Sequence, residues 1–128
     1  MIFGHRRVRV FACVKPTDLR KSFDTLSELV RSEMGQDPLS GDLFLFVNGR
    51  CNRAKVLLWD GTGLCIYMKR LEKGRFAAPW KRAHESTVAM TASELSLFLD
   101  GSPLVFMGRL SPPEIGEETV ATSAAFMR

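Results

Sequence analysis

Cysteine, histidine and long apolar runs are scarce in this sequence. Its three cysteines, Cys13, Cys51 and Cys65, form no C-x-x-C pair, and a zinc site joining them to His84 would need four ligands from distant elements. No stretch reaches the ~18 consecutive apolar residues of a membrane span, and the short apolar run after the N-terminal arginines is too brief for a signal peptide. We therefore expect a reduced, cytoplasmic protein without a membrane segment.

Motifs for phosphate-binding loops and activated nucleophiles are absent too. No glycine precedes a lysine, and no G-x-S-x-G sequence occurs. No acidic residue stands two positions before a lysine, a spacing frequent in small metal-dependent nucleases. Asp18, Asp42 and Asp60 could converge on a metal ion, but each has a simpler role at a helix start or in a turn. The sequence predicts no catalytic site, metal or cofactor, and a nuclease remains the enzymatic alternative.

Positive charge is present in excess, and it is unevenly distributed. Residues 1–82 hold 16 of the 18 Lys and Arg and 8 of the 14 Asp and Glu, so residues 83–128 hold 2 and 6. Such asymmetry predicts a body that binds a polyanion, nucleic acid above all. Residues 1–108 fit one domain, whereas residues 109–128 lose periodicity, gather prolines and acids, and are expected to form a disordered acidic tail.

The first half of the domain alternates between strand and helix patterns. Val8–Cys13 has the period-two alternation of a strand that Pro16 ends. Thr17 is the predicted cap of a helix that stops at Gly35. The apolar stripe of that helix comprises Leu19, Phe23, Leu26 and Val30.

The middle of the chain has the pattern of an antiparallel meander. Short turns at Asn48–Gly49 and Asp60–Gly63 separate the apolar runs Leu43–Val47, Lys55–Trp59 and Leu64–Lys69. The next segment, residues 71–80, is either a loop or an irregular edge strand. Thr91 and Glu94 then form a capping box for a short helix that Gly101 ends.

These elements predict an α+β fold with a single domain. We expect an antiparallel sheet of about four or five strands, one long helix packed on it, and a short C-terminal helix. An unpaired edge of the sheet would permit dimerisation through strands.

Two basic segments, GRCNRAK from Gly49 and KRLEKGRF from Lys69, flank the predicted strands and could lie along one edge of the sheet. Lysines and arginines there would neutralise DNA phosphates, and Tyr67, Phe76 and Trp80 could stack bases. Alternatively, the charges form only a soluble face and the aromatic residues belong to the core. With two residues on the first helix, the candidate phosphate contacts are Arg20, Lys21, Arg50, Arg53, Lys55, Lys69, Arg70, Lys73 and Arg75.

Three stretches resemble the TnpB protein of insertion-sequence 66 family elements. They are PTDLRKSFDTLSELV from Pro16, QDPLSGDLFLFVNGR from Gln36 and KVLLWDGTGLCIYMKRLEKGRF from Lys55. The resemblance covers about residues 8–101. It implies a non-catalytic accessory protein for DNA transposition of a mobile element, with a transposase and a second small accessory protein as partners.

The family motifs fall on defined residues of this chain. Ser22 stands where a glycine is usual, Cys51 interrupts an arginine run, and Ala78 replaces an aromatic residue before Pro79. Besides basic residues already named, the motif positions are Thr17, Asp18, Trp59, Asp60, Gly61, Gly74 and Phe76.

The leading hypothesis is therefore an accessory factor that binds DNA, the transposase, or both through a basic surface. The main alternative is an adaptor that touches only the transposase and makes no direct DNA contact.

Overall fold

The computed structural model describes residues 8–82 and 87–106, which form an α+β fold, as the sequence predicted. Five strands, two α-helices and one 3-10 helix make up this part of the chain. In chain order they are β1 (Val10–Cys13), α1 (Phe23–Ser32), β2 (Leu43–Val47), β3 (Arg53–Trp59), β4 (Leu64–Arg70), a 3-10 helix (Pro79–Arg82), β5 (Thr87–Met90) and α2 (Ala92–Leu99).

The five strands form one sheet in the order β4-β3-β2-β1-β5. The predicted meander of β2, β3 and β4 is confirmed, with Val47 opposite Ala54 and Arg53 opposite Arg70. β1, however, pairs parallel with β2, and α1 lies in the connection between them. The sheet is thus mostly antiparallel but mixed, because a parallel neighbour needs a crossover connection that α1 provides.

Both faces of the sheet are covered, so the fold has three layers. The β2 run is buried at every position because alternate side chains point to opposite faces: Phe44 and Phe46 pack with α1, and Leu45 packs on the other side. On that other side Phe76 and Phe98 stack with ring centroids 4.8 Å apart. The sequence predicted one long helix packed on the sheet and a short C-terminal helix, but not that residues of the short helix would cover the second face.

The prediction that α1 begins at Thr17 is wrong. Thr17 is buried, and its N–H donates to the carbonyl of Val47 while its hydroxyl donates to the carbonyl of Lys15. The helix begins only at Phe23, where the hydroxyl of Thr25 accepts the N–H of Ser22 at 3.1 Å. α1 therefore has ten residues, and Arg20 and Lys21 lie in the loop that precedes it.

The predicted apolar stripe of α1 is only partly buried. Leu26 and Val30 are fully buried, whereas Phe23 is 44% exposed and Leu19 contacts the core from the preceding loop. Gly35 adopts a positive φ of 64° just beyond the helix, as expected of the residue that terminates it.

The predicted start of α2 is confirmed by its capping box. The N–H of Glu94 donates to the hydroxyl of Thr91 at 3.0 Å, and the Glu94 carboxylate accepts the N–H of Thr91 at 2.8 Å. Leu95 and Phe98 are buried, and Gly101 follows the helix with a φ of 86°. Neither α-helix in the described ranges has the length and apolar character needed to cross a bilayer.

Residues 71–82 form a loop that ends in the 3-10 helix, which resolves the choice left open by the sequence. β5 was not anticipated, and it pairs antiparallel with β1. The predicted acidic tail, residues 109–128, lies outside the described residues.

Candidate nucleic-acid interface

Three loops lie at the same end of the sheet. β1 and β2 run parallel, and each strand of the meander reverses direction, so the ends of β1, β2 and β4 meet the start of β3. The loops concerned are Pro16–Lys21, Asn48–Asn52 and the segment that follows Arg70. We call this end of the sheet, which includes the three loops together with Arg53 and Arg70, the basic end.

Seven of the nine predicted phosphate contacts lie at the basic end. They come from segments that are distant in sequence, and they share only a position beside the strand ends. They are Arg20, Lys21, Arg50, Arg53, Arg70, Lys73 and Arg75.

Hydrogen bonds join the Asn48–Asn52 turn to the segment after β4. The N–H of Leu71 donates to the carbonyl of Asn52 at 2.8 Å, and the N–H of Phe76 donates to the carbonyl of Cys51 at 2.6 Å. The guanidinium of Arg75 donates to the carbonyl of Arg50 at 2.9 Å. An open cleft of about 400 Å³ lies between the two segments, and Arg50, Arg75 and Gly74 are among its lining residues. The two predicted basic segments are therefore in direct contact.

The turn itself is organised by an asparagine whose role the sequence did not reveal. The side-chain oxygen of Asn48 accepts the N–H groups of Asn52 and Arg53, both at 3.0 Å, and its amide donates to the Asn52 side chain at 2.7 Å. Cys51 has a positive φ of 58°, a region that non-glycine residues seldom adopt. The predicted Asn48–Gly49 turn is present, but its left-handed residue is the cysteine, and polar residues four apart were the available clue.

The Pro16–Lys21 loop contributes an internal ion pair. Arg20 and Asp18 form a salt bridge of 2.7 Å, and Asp18 also accepts the N–H of Arg20 at 3.0 Å. The hydrogen bonds from Arg20 hold the pKa of the Asp18 carboxyl well below its usual range. Both side chains are largely solvent-exposed, so this pair is open to competition from an external anion.

Arg53 and Arg70 occupy opposite positions on β3 and β4, on the face that α1 covers. The Arg70 guanidinium is paired with Glu72 at 3.0 Å, while Arg53 is exposed and has no carboxylate partner among the described residues. Like charges directly opposite each other on neighbouring strands destabilise a sheet.

Two of the predicted phosphate contacts serve the fold. Lys55 is only 9% exposed, and its ammonium donates to the carbonyl of Lys21 at 2.7 Å, which fastens the first loop to β3. Lys69 points to the opposite face, where its ammonium donates to the carbonyl of Leu99 at the end of α2 at 2.7 Å. Since both ammonium groups are engaged by backbone carbonyls, neither belongs to the set offered to a ligand.

The remaining family-motif residues lie in a turn, in a loop or at the end of a strand. Asp60 lies at the opposite end of the sheet, where its carboxylate accepts the N–H groups of Thr62 and Gly63 at 3.0 Å, and these bonds lower its pKa to about 2. Gly61 and Gly74 have φ values of 106° and 77°, which favour glycine. Trp59 is half-buried at the end of β3.

The aromatic residues considered for base stacking are divided between core and surface. Phe76 is only 3% exposed and stacks within the core, so no base can reach its ring. Trp80 is half-buried against the same cluster. Tyr67 is 50% exposed but lies in β4, away from the three loops.

The candidate metal ligands do not converge. Asp18 is at the basic end, whereas Asp42 and Asp60 are at the other end, about 17 Å away along a five-residue strand. Asp42 is buried and binds Arg9 at 2.8 Å. Among the residues described, no group of three or more His, Cys, Asp and Glu side chains is arranged to hold a metal ion.

The cysteines are free thiols. Burial raises the pKa of Cys51, and burial together with the neighbouring Asp60 raises that of Cys65. Neither thiol is thus activated as a nucleophile.

The chain is similar to a described protein family and to two named proteins. The chain matches the family described as IS66 Orf2 like protein over residues 8–107. Two Sinorhizobium fredii proteins, the uncharacterized proteins y4jC and y4hO, are each 35% identical to it over 101 residues, which cover 79% of this chain and 85% and 86% of theirs. No solved structure matches the chain.

The chain therefore belongs to the IS66 Orf2-like family, the TnpB-type accessory proteins of insertion-sequence 66 elements. The family assignment that the sequence motifs indicated is confirmed, and it supports an accessory role in transposition.

Proposed function

We propose that the protein assists transposition by binding DNA through the basic end, without catalysing a reaction. The observation that carries this proposal is the juxtaposition of Arg53 and Arg70, since the fold bears a repulsion that an anionic ligand would relieve. Arg50 and Lys73 also lie at the basic end and have no ion-pair partner among the described residues. With Lys21, these side chains are the phosphate contacts of the proposal.

The charges present at this edge allow a quantitative expectation. Lys21, Arg50, Arg53 and Lys73 are four cations whose side chains have neither a carboxylate partner nor a hydrogen bond to the backbone in the described part of the chain. Arg75 also lacks a carboxylate partner, but its guanidinium donates to the carbonyl of Arg50. Each neutralised phosphate of duplex DNA contributes about −0.9 to the slope of log K against log salt concentration. Four contacts predict a slope of about −3.6, and any contact by Arg20 or Arg70 would first have to displace Asp18 or Glu72.

A fluorescence-anisotropy titration of labelled duplex DNA at several salt concentrations tests the proposal. Arg50→Ala and Lys73→Ala should each reduce the slope by about 0.9 and weaken binding to different sequences alike. Arg31→Ala is the matched control, because Arg31 is an exposed arginine of α1 whose partner is Glu28. Affinity that does not fall with added salt, or a slope that Arg31→Ala reduces as much as Arg50→Ala does, would rule out phosphate contact at the basic end.

The proposed protein partners are the transposase and the second small protein of the same element. The rival function is an adaptor whose basic end meets an acidic surface of the transposase. The adaptor function would be favoured if the protein co-purifies with the transposase but is not retained on DNA by itself. In that case Arg50→Ala should weaken the co-purification.

A further inference from the structure

The outer edge of β4 lacks the features that normally protect an exposed strand. Edge strands are commonly short, bulged, proline-containing or lined with outward charges. β4 has seven residues paired to β3 without a bulge, and Leu64–Met68 contains neither proline nor charge. Lys69, which could protect the edge, donates its ammonium to Leu99 instead. β5, at the other edge of the sheet, has only four residues.

The backbone groups that point outward from β4 can be assigned from its pairing. Hydrogen bonds from Leu71 to Asn52 and from Asp60 to Gly63 fix the phase of the β3–β4 ladder. Alternate residues of an antiparallel strand face opposite neighbours. Residues 65, 67 and 69 therefore bond to β3, and residues 64, 66, 68 and 70 direct their N–H and C=O groups outward. Apart from bonds within the strand ladders, no backbone hydrogen bond in the described ranges reaches these four residues.

The side chains at the middle of β4 are exposed and apolar on both faces of the sheet. Tyr67 is 50% exposed and lies on the α2 side, and Met68 is 57% exposed and lies on the α1 side. An ordinary edge strand presents apolar groups to the core and polar groups to water. Apolar side chains on both faces are typical of a strand whose two faces are both covered.

We propose that a second copy of this chain pairs antiparallel with β4, in a two-fold register centred on Tyr67. Leu64 then faces the partner's Arg70, and Ile66 faces the partner's Met68, so that all the outward backbone groups of both strands are bonded. Tyr67 faces the partner's Tyr67 in a non-hydrogen-bonded pair, where side chains approach most closely. The two sheets join into one of ten strands, since each copy contributes five.

Charge complementarity favours a second copy in this orientation. The Asp60 carboxylate lies 3.4 Å from the thiol of Cys65, so one negative charge stands at the start of β4. The antiparallel register brings the partner's Arg70 to that end, beside Leu64, whereas the ammonium of the partner's Lys69 stays with the carbonyl of Leu99. A parallel register would instead set Arg70 against the partner's Arg70. The same strand is therefore its own electrostatic complement when reversed.

The molar mass in solution, measured by light scattering after size exclusion, tests the proposal. The native chain should have twice its monomer mass of 14.3 kDa. Tyr67→Arg sets two positive charges against each other and should give the monomer mass, whereas Tyr67→Thr, which keeps strand propensity, should remain dimeric. A monomeric native chain, or a Tyr67→Arg chain that remains dimeric, would overturn the proposal.

Two further variants test the register itself. Met68→Pro removes an outward N–H without breaking the β3 ladder, so it should dissociate the dimer while Met68→Ala does not. In a chain carrying Cys51→Ser and Cys65→Ser, Tyr67→Cys should form an interchain disulfide in air, because both cysteines meet at the two-fold axis. Leu64→Cys should not, since it faces the partner's Arg70. Cross-linking at Leu64 and not at Tyr67 would overturn the register, and this result does not require Met68→Pro to fold.

Discussion

Arg53 is the residue at which stability and binding should change in opposite directions. Replacing it with glutamine removes the repulsion from Arg70, so Arg53→Gln should raise the free energy of unfolding by about 0.5 kcal/mol. The same change removes a proposed phosphate contact and should weaken DNA binding. Urea unfolding and an anisotropy titration measure the two effects. A destabilised variant, or one with unchanged affinity, would contradict this role.

Lys55 and Lys73 should differ in how much each contributes to the stability of the fold. Lys55→Ala deletes a buried stem and leaves the carbonyl of Lys21 without its donor, which should cost about 2 kcal/mol of stability. Lys73 is exposed, so Lys73→Ala should change stability by less than about 0.5 kcal/mol. Thermal unfolding of the two variants checks the difference. Equal losses would show that the Lys55 ammonium contributes nothing to the fold.

Asp60 predicts a pH dependence of stability. Its pKa is lowered to about 2 in the folded protein, against about 3.9 in an unfolded chain. Its contribution is therefore complete above about pH 4 and is lost as the pH falls towards 2. Asp60→Ala should lower the urea midpoint at pH 6, and the difference from the native chain should shrink steadily below pH 4. A difference independent of pH would show that the ionised carboxylate is not what holds the turn.

At the scale of the element, the capping box of α2 is the most direct prediction from local sequence. Thr91→Ala removes the acceptor for the N–H of Glu94 and should cost about 1 kcal/mol. Ser93→Ala is the control, since Ser93 is exposed within the first turn and does not cap the helix. Chemical denaturation of both variants should separate them clearly. A larger loss in the control would contradict the capping role.

Elements with local signals were predictable, and elements defined by distant contacts were not. The meander followed from short turns between apolar runs, and α2 from its capping box. The start of α1 was misplaced because Thr17 has the side chain of a cap, while its N–H is taken by Val47 of β2. β5 has only four residues, and its pairing with β1 joins Val10 to Met90 across the length of the domain. No local pattern encodes such a pairing.

The candidate site was predictable in outline for the same reason. The meander alone implies that the turn after β2 and the segment after β4 lie at one end of the sheet. It does not reveal that the side chains of Lys55 and Lys69 end on backbone carbonyls, because those contacts depend on the loop before α1 and on the end of α2. Charge type was visible in the sequence, whereas the availability of each charge was not.

At the scale of the whole molecule, the sequence predicts that residues 109–128 form a tail outside the domain. A chain ending at Gly108 should therefore unfold within about 2 °C of the full-length chain, since no core residue is expected in the deleted segment. Differential scanning calorimetry of the two chains measures this. A fall of several degrees would place part of the tail in the folded core.

The position of β1 between β2 and β5 sets an order in which the sheet can be completed. In the part of the chain that the structure describes, β5 pairs with β1 alone, so β5 can join the sheet only when β1 is already beside β2. The hairpins of the meander close over short loops, but the β1–β5 pairing must close a much longer one, which slows folding. On the ribosome, β1 must therefore wait until the chain has been synthesised as far as Met90 before its second neighbour arrives.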